Sequence, residues 1–127
     1  MKLYEATKRY GSTTYIGIIL INKEDNMVLS TVLSTNRPEN AYLSGIERAV
    51  SHIHNNKLED GNLIVYGQKL REDQPLTSDY IEKFMTGGKV ILNNKELTNK
   101  DNRCMMLVRQ ELNRATKQYD SNYKGRK

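Results

Sequence analysis

Hydrophobic and polar positions along this chain fall into blocks of two different periods. From the N-terminus, three segments alternate or run apolar at strand length: 2–8, 13–22 (TTYIGIILIN) and 27–34 (MVLSTVLS). They are rich in Val, Ile, Leu, Thr and Tyr and are broken by Tyr10-Gly11-Ser12 and by Lys23-Glu24-Asp25-Asn26, so the spacing predicts three hairpin-connected strands. In the first of them Leu3, Glu5 and Thr7 share one face. The period then changes. Leu43, Ile46, Ala49, Val50 and Ile53 recur at helical spacing behind Asn36-Arg37-Pro38-Glu39, which reads as a cap followed by a first turn and predicts a helix over 38–55. Leu63 to Tyr66 is a short, wholly apolar run of the kind buried on both faces of a parallel sheet. A short helix over 77–86, a strand over 89–92 and a long helix over 99–119 follow. The last opens on a capping box, Thr98 with Asp101, and carries Cys104, Val108, Leu112, Ala115 and Tyr119 on one stripe.

The order βββαβαβα predicts an α/β fold with a five-stranded mixed sheet and helices packed on its faces, since right-handed crossovers carry the connecting helices over the sheet. At 127 residues the chain is one domain, expected over 1–119, with 120–127 (DSNYKGRK) as a basic flexible C-terminal tail.

Composition narrows the function classes. The formal net charge is +5 and the isoelectric point about 9.3, which favours polyanionic partners. Mean hydropathy is −0.73, with the apolar residues gathered into the periodic blocks. No apolar run approaches a membrane span and the start of the chain is not signal-like, so a cytoplasmic protein with no membrane partner is expected. Cys104 is the single cysteine, which excludes an internal disulfide and suits a reducing compartment; its place in a helical stripe reads as packing. The abundance of Asn and Lys fits an AT-rich genome such as that of a virus or phage.

Three stretches carry a family resemblance. Ala41-Tyr42-Leu43-Ser44-Gly45-Ile46 opens the first helix, Leu63-Ile64-Val65-Tyr66-Gly67-Gln68 closes the fourth strand, and Asp101-Asn102-Arg103-Cys104-Met105-Met106-Leu107 begins the last helix. In order and spacing they resemble the ribonuclease H-like superfamily. Its members often place a Glu before Tyr-Leu-x-x-Ile, an Asp-Ser pair at the end of the fourth strand, and Asn-x-x-Cys/Ala-Asp-x-Leu in the last helix. The resemblance implies that acidic residues at these places, together with an Asp on the first strand, hold divalent metals. This chain has Glu5 on the first strand, Ala41 in the Glu place, Gly67 or Gln68 in the second, and Met105 in the third.

Two-metal phosphodiester cleavage needs several carboxylates on ions that take oxygen ligands. Glu5 alone cannot supply them, and a residual site would need Glu39, Glu47 or Asp101 to turn inward. The expectation is therefore a degenerate active site with no catalytic residue, no metal and no cofactor. His52 and His54 flank Ile53 but lack further ligands nearby in sequence, and Gly87-Gly88-Lys89 lacks phosphate-loop spacing.

The basic residues cluster instead. Lys8 and Arg9 lie beside Tyr10, Arg103, Arg109, Arg114 and Lys117 lie on the last helix, and Lys124, Arg126 and Lys127 on the tail. Cations neutralise phosphates and tyrosines stack on unpaired bases, so these residues are candidates for contacting nucleic acid, RNA or single strands above all. The other reading is a protein-interaction module, for example a small viral or accessory factor docking on a host protein.

Overall fold

The computed structural model describes residues 1–58, 61–67, 88–93 and 95–124. Five strands, β1 (Lys2–Tyr10), β2 (Thr13–Ile21), β3 (Met27–Thr35), β4 (Leu63–Tyr66) and β5 (Val90–Leu92), form a single mixed sheet in the order β3-β2-β1-β4-β5. The first three are antiparallel, while β4 runs parallel to both β1 and β5. The apolar run of β4 therefore lies inside the sheet, as its lack of alternation predicts.

Among the described residues two helices flank the sheet: α1 (Ala41–Asn55) and α2 (Asn99–Lys124). The pleat sorts the strand residues between them. Leu3, Ile16, Ile18, Leu20, Leu63 and Val65 join Ile46, Ala49, Val50 and Ile53 of α1 in one core. Tyr4, Ile19, Ile21 and Tyr66 join Met105 and Val108 of α2 in another. A one-residue slip of any strand would exchange the two sets, so burial on both faces pins the register.

The helix ends differ in part from expectation. The first begins as a 3-10 turn, Pro38–Asn40, whose cap residue is Arg37 without a side-chain cap bond, and becomes α-helical at Ala41. At its end Lys57 takes φ 50° and Leu58 N–H donates to the Ile53 carbonyl, folding Leu58 back onto the core. The capping box of α2 forms as expected: Asp101 N–H donates to Thr98 Oγ1 (3.1 Å) and Thr98 N–H to Asp101 Oδ2 (3.0 Å).

The stripe of α2 is turned slightly from the expected one. Met105, Val108, Leu112 and Thr116 are buried, Cys104 is half-buried, and Ala115 is exposed. Thr116 tolerates burial because its hydroxyl donates to the Leu112 carbonyl (2.8 Å). The boundary expected at 119/120 also falls inside a continuous helix, which runs to Lys124. The helix expected over 77–86 lies outside the described residues.

Candidate nucleic-acid interface and the site beside Glu5

β1 and β4 pair in parallel with Tyr4 opposite Tyr66, which sets Glu5 beside Gly67 where β4 ends. Gly67 has φ +87°, and a Cβ there would overlap the Glu5 carbonyl oxygen and lie 2.7 Å from Met105 Cε. On the other face a Cβ at Gly45 would overlap Glu5 Oε1 and lie 2.9 Å from its Cδ and 3.1 Å from Ile18 Cγ2. The fold thus gathers Glu5, Gly67, Met105 and the first turns of α1 around one point, although they are far apart in sequence. Ala41, the first residue of α1, packs in the core one turn before Gly45. Gln68 lies outside the described residues.

The chemistry at that point is that of a closed core. Glu5 is fully buried, with neither carboxylate oxygen hydrogen-bonded. Burial pushes its carboxyl well above the ordinary 4.5, so Glu5 is held protonated over a pH range in which a free carboxylate is charged. Its neighbours on the α1 face are the Gly45 backbone and the aliphatic carbon of Ile18, neither of which suits a hard cation. Ala41 and Met105 are each 2% exposed, and Glu5 itself is fully buried. The carboxylates that a residual site would need do not join Glu5: Glu39 and Glu47 are exposed, and Asp101 is buried on the opposite face, bound by Thr98 and Tyr4. Among the described residues no three His, Cys, Asp or Glu side chains are grouped as for a metal. His52 is engaged with Asn56 instead, whose side-chain nitrogen lies 3.3 Å from His52 Nδ1.

A second buried carboxyl lies on the opposite face. Tyr4 Oη donates to Asp101 Oδ1 at 2.6 Å, and the Tyr4 ring stacks on Tyr66 with centroids 4.6 Å apart. Burial alone would raise the Asp101 pKa, but the bonds from Tyr4 and Thr98 outweigh it and hold it below the ordinary 3.8. Burial, and then the bond to Asp101, raise the Tyr4 phenol. Sequence spacing shows the Thr98–Asp101 half of this arrangement; Tyr4 is 97 residues away, and only the pairing of β1 beneath α2 brings it in.

The basic residues divide into two groups. Lys8 Nζ donates to Asn113 Oδ1 of α2 (3.2 Å) and sits 5.4 Å from the centre of the Tyr10 ring. Tyr10, Tyr15 and Tyr119 form a cluster with centroids 5.4–6.1 Å apart, which joins the β1–β2 turn to the C-terminal half of α2. Tyr15 donates to Tyr119, which raises the Tyr15 phenol and lowers that of Tyr119. Arg109 and Lys117 stand four residues either side of Asn113 and are exposed, so they share its flank of the helix. Tyr15 is a residue that the sequence reading missed; its alternation with Gly17 and Ile19 places it on the α2 face of β2.

The remaining candidates lie elsewhere. Arg103 and Arg114 face solvent, roughly opposite the buried stripe at about 100° per residue. Arg114 donates to both Glu111 carboxylate oxygens, at 2.7 and 2.6 Å. Arg9 is exposed on the other side of β1 and its Nε donates to the Gly11 carbonyl (2.9 Å). Lys124 ends α2, and Arg126 and Lys127 lie outside the described residues. No helix among the described residues is long and apolar enough to cross a membrane.

These features define a mixed α/β protein with a buried carboxyl on each face of the sheet, Glu5 and Asp101, and a basic and aromatic flank on α2. No family model, curated protein or solved structure matches the chain.

Proposed function

We propose that this protein is a non-catalytic nucleic-acid-binding protein on a degenerate ribonuclease H-like scaffold, contacting RNA, hybrid duplex or single strands mainly through the backbone. The observation that carries the reading is the flank where Lys8, Arg109 and Lys117 stand around Asn113 beside the Tyr10–Tyr15–Tyr119 cluster. Cations placed next to aromatic rings suit phosphate and unpaired base together. The ribonuclease H-like part of the reading draws support from the three antiparallel strands followed by two parallel ones, with helices on both faces. The meeting of Glu5, Gly67 and Met105 at the end of β4 is also in keeping with the places that the resemblance assigns. A fully buried carboxyl without hydrogen-bond partners, set against Gly45 and Ile18, supports the non-catalytic part.

Gel-shift titration with RNA, single-stranded DNA and duplex DNA at two salt concentrations tests it. Affinity for single strands should fall with salt at a log–log slope of about −0.7 per phosphate contact. The triple variant Lys8→Ala, Arg109→Ala, Lys117→Ala should flatten that slope, and Arg103→Ala with Arg114→Ala should change it little. Undetectable low-salt binding to all three probes at tens of micromolar, weaker than ordinary non-specific binding, would sink the reading. The protein-interaction reading would then take its place, favoured by Met106 and Leu107, which are 56% and 43% exposed on α2.

A further inference from the structure

β3 lies at one edge of the sheet and pairs, among the described strands, with β2 alone. An edge strand presents a row of backbone donors and acceptors, and proteins ordinarily blunt it by keeping it short, charging it, or placing proline or a bulge in it. The other edge, β5, is three residues long. β3 is nine residues long and contains no Lys, Arg, Asp, Glu, Pro or Gly. Its register with β2 shifts only between Leu20 and Ile21, opposite its start, so Leu29 to Thr35 pair regularly with β2 and keep a straight outer edge.

We propose that this edge pairs antiparallel with the same edge of a second copy, making a continuous ten-stranded sheet about a two-fold axis through Thr31. The occupant follows from the residues. A two-fold axis perpendicular to a sheet keeps each face on its own side, so β3 must pair with itself in a register that joins residues of like face. Centred on Thr31, Leu29 falls opposite Leu33 of the second copy on the α1 face. Both leucines are half-buried and already pack against the α1 core, so each covers the remaining flank of the other. Thr31 meets its own counterpart, and Ser30 falls opposite Val32. No like charges oppose each other within the strand. The inference does not depend on nucleic-acid binding.

One strand pair is a small contact, so the dimer belongs to the weak class, with Kd of roughly 10–100 μM. Sedimentation of the full chain from about 5 μM to 0.5 mM, spanning that range, should show a monomer–dimer equilibrium. Thr31→Lys, which sets two cations face to face, should weaken it at least tenfold while the circular dichroism spectrum is kept. Cross-linking gives a second readout that does not rely on that variant folding. In a Cys104→Ala background, Thr31→Cys should form a disulfide dimer under mild oxidation, because opposite Cα atoms of an antiparallel pair stand about 4.5–5.5 Å apart. Val32→Cys should not, since the register offsets it from its own counterpart. A chain that stays monomeric throughout the range overturns the proposal and leaves the edge to a strand of another protein. Equal or faster cross-linking at Val32 overturns it too, because the register is then wrong.

Discussion

The two faces of the sheet each bury a carboxyl and treat it in opposite ways. On the α1 face Glu5 sits against Gly45 and Ile18 with both oxygens unbonded, and burial drives its pKa up. On the α2 face Asp101 receives bonds from Tyr4 and from the backbone N–H of Thr98, and its pKa is driven down. The two residues belong to neighbouring structure, for Tyr4 and Glu5 are consecutive on β1. Desolvation acts on both; donors reach only one. A buried acid is thus stabilised in its charged form where the fold supplies donors, and destabilised in it where the fold does not.

The largest expected effect lies where the two faces meet. Gly67→Ala puts a methyl into the Glu5 carbonyl and the Met105 side chain at a φ of +87°, and backbone cannot give way as a side-chain tip can. A loss of about 3–4 kcal/mol in chemical denaturation is expected. A cost under about 1 kcal/mol would mean that β1 and β4 are not held as tightly as the two-face packing requires.

Asp101→Ala should cost somewhat less, about 2–3 kcal/mol, because it leaves the buried Tyr4 hydroxyl and the Thr98 N–H without their acceptor. The pH dependence follows from the direction of the shift. A pKa depressed in the folded state gives stability that is present above the ordinary 3.8 and lost as pH falls through the folded value. Wild type should therefore lose this contribution on acidification, and the difference between wild type and Asp101→Ala should narrow below about pH 4. Tyr4 acts at the other end of the scale: its raised pKa gives stability that is full below the ordinary 10.0 and lost as pH rises through the folded value.

Glu5→Gln should move stability the other way. A raised folded pKa means that the folded state keeps its proton where the unfolded chain releases it, so Glu5 weakens the fold as pH climbs above the ordinary 4.5. The glutamine variant should match wild type near pH 4 and exceed it by about 1–2 kcal/mol at pH 7, read from denaturation midpoints at the two pH values. Equal stability at both would show that Glu5 finds partners in solution and that the contrast between the faces is smaller than drawn.

The smallest and sharpest test is a coupling. Gly45→Ala should be tolerated better when Glu5→Ala is also present, since the methyl then meets space in place of Oε1. A double-mutant cycle should give about 1 kcal/mol of interaction. Additive effects would place the crowding at Ile18 instead.

Period alone determined much of this molecule. The strand-length blocks 2–8, 13–22, 27–34, Leu63 to Tyr66 and 89–92, and the spacing of Ile46, Ala49, Val50 and Ile53, already predict five strands, a helix after the third and the capping-box helix at the end. These patterns follow from local backbone geometry, which repeats every two or every 3.6 residues and needs no distant partner. The capping box was legible for the same reason, since Thr98 and Asp101 are three residues apart. The tilt of the α2 stripe was not. Thr116 reads as polar until its hydroxyl is seen bonded to the Leu112 carbonyl, and Gly17 of β2, 3.2 Å from Leu112 Cβ by its missing Cβ, lets the helix come close. Nor could composition show which cations stand together: Lys8 and Asn113 are 105 residues apart, and Arg109 differs from Arg103 only by the side of the helix it occupies. Glu5 is the clearest case. Its position on the first strand was visible, yet its state was decided by burial against Ile18 of β2 and Gly45 of α1, where neither carboxyl oxygen finds a hydrogen-bond partner. Solvation is a property of all the neighbours at once, and those neighbours come from stretches of the chain far from Glu5 in sequence.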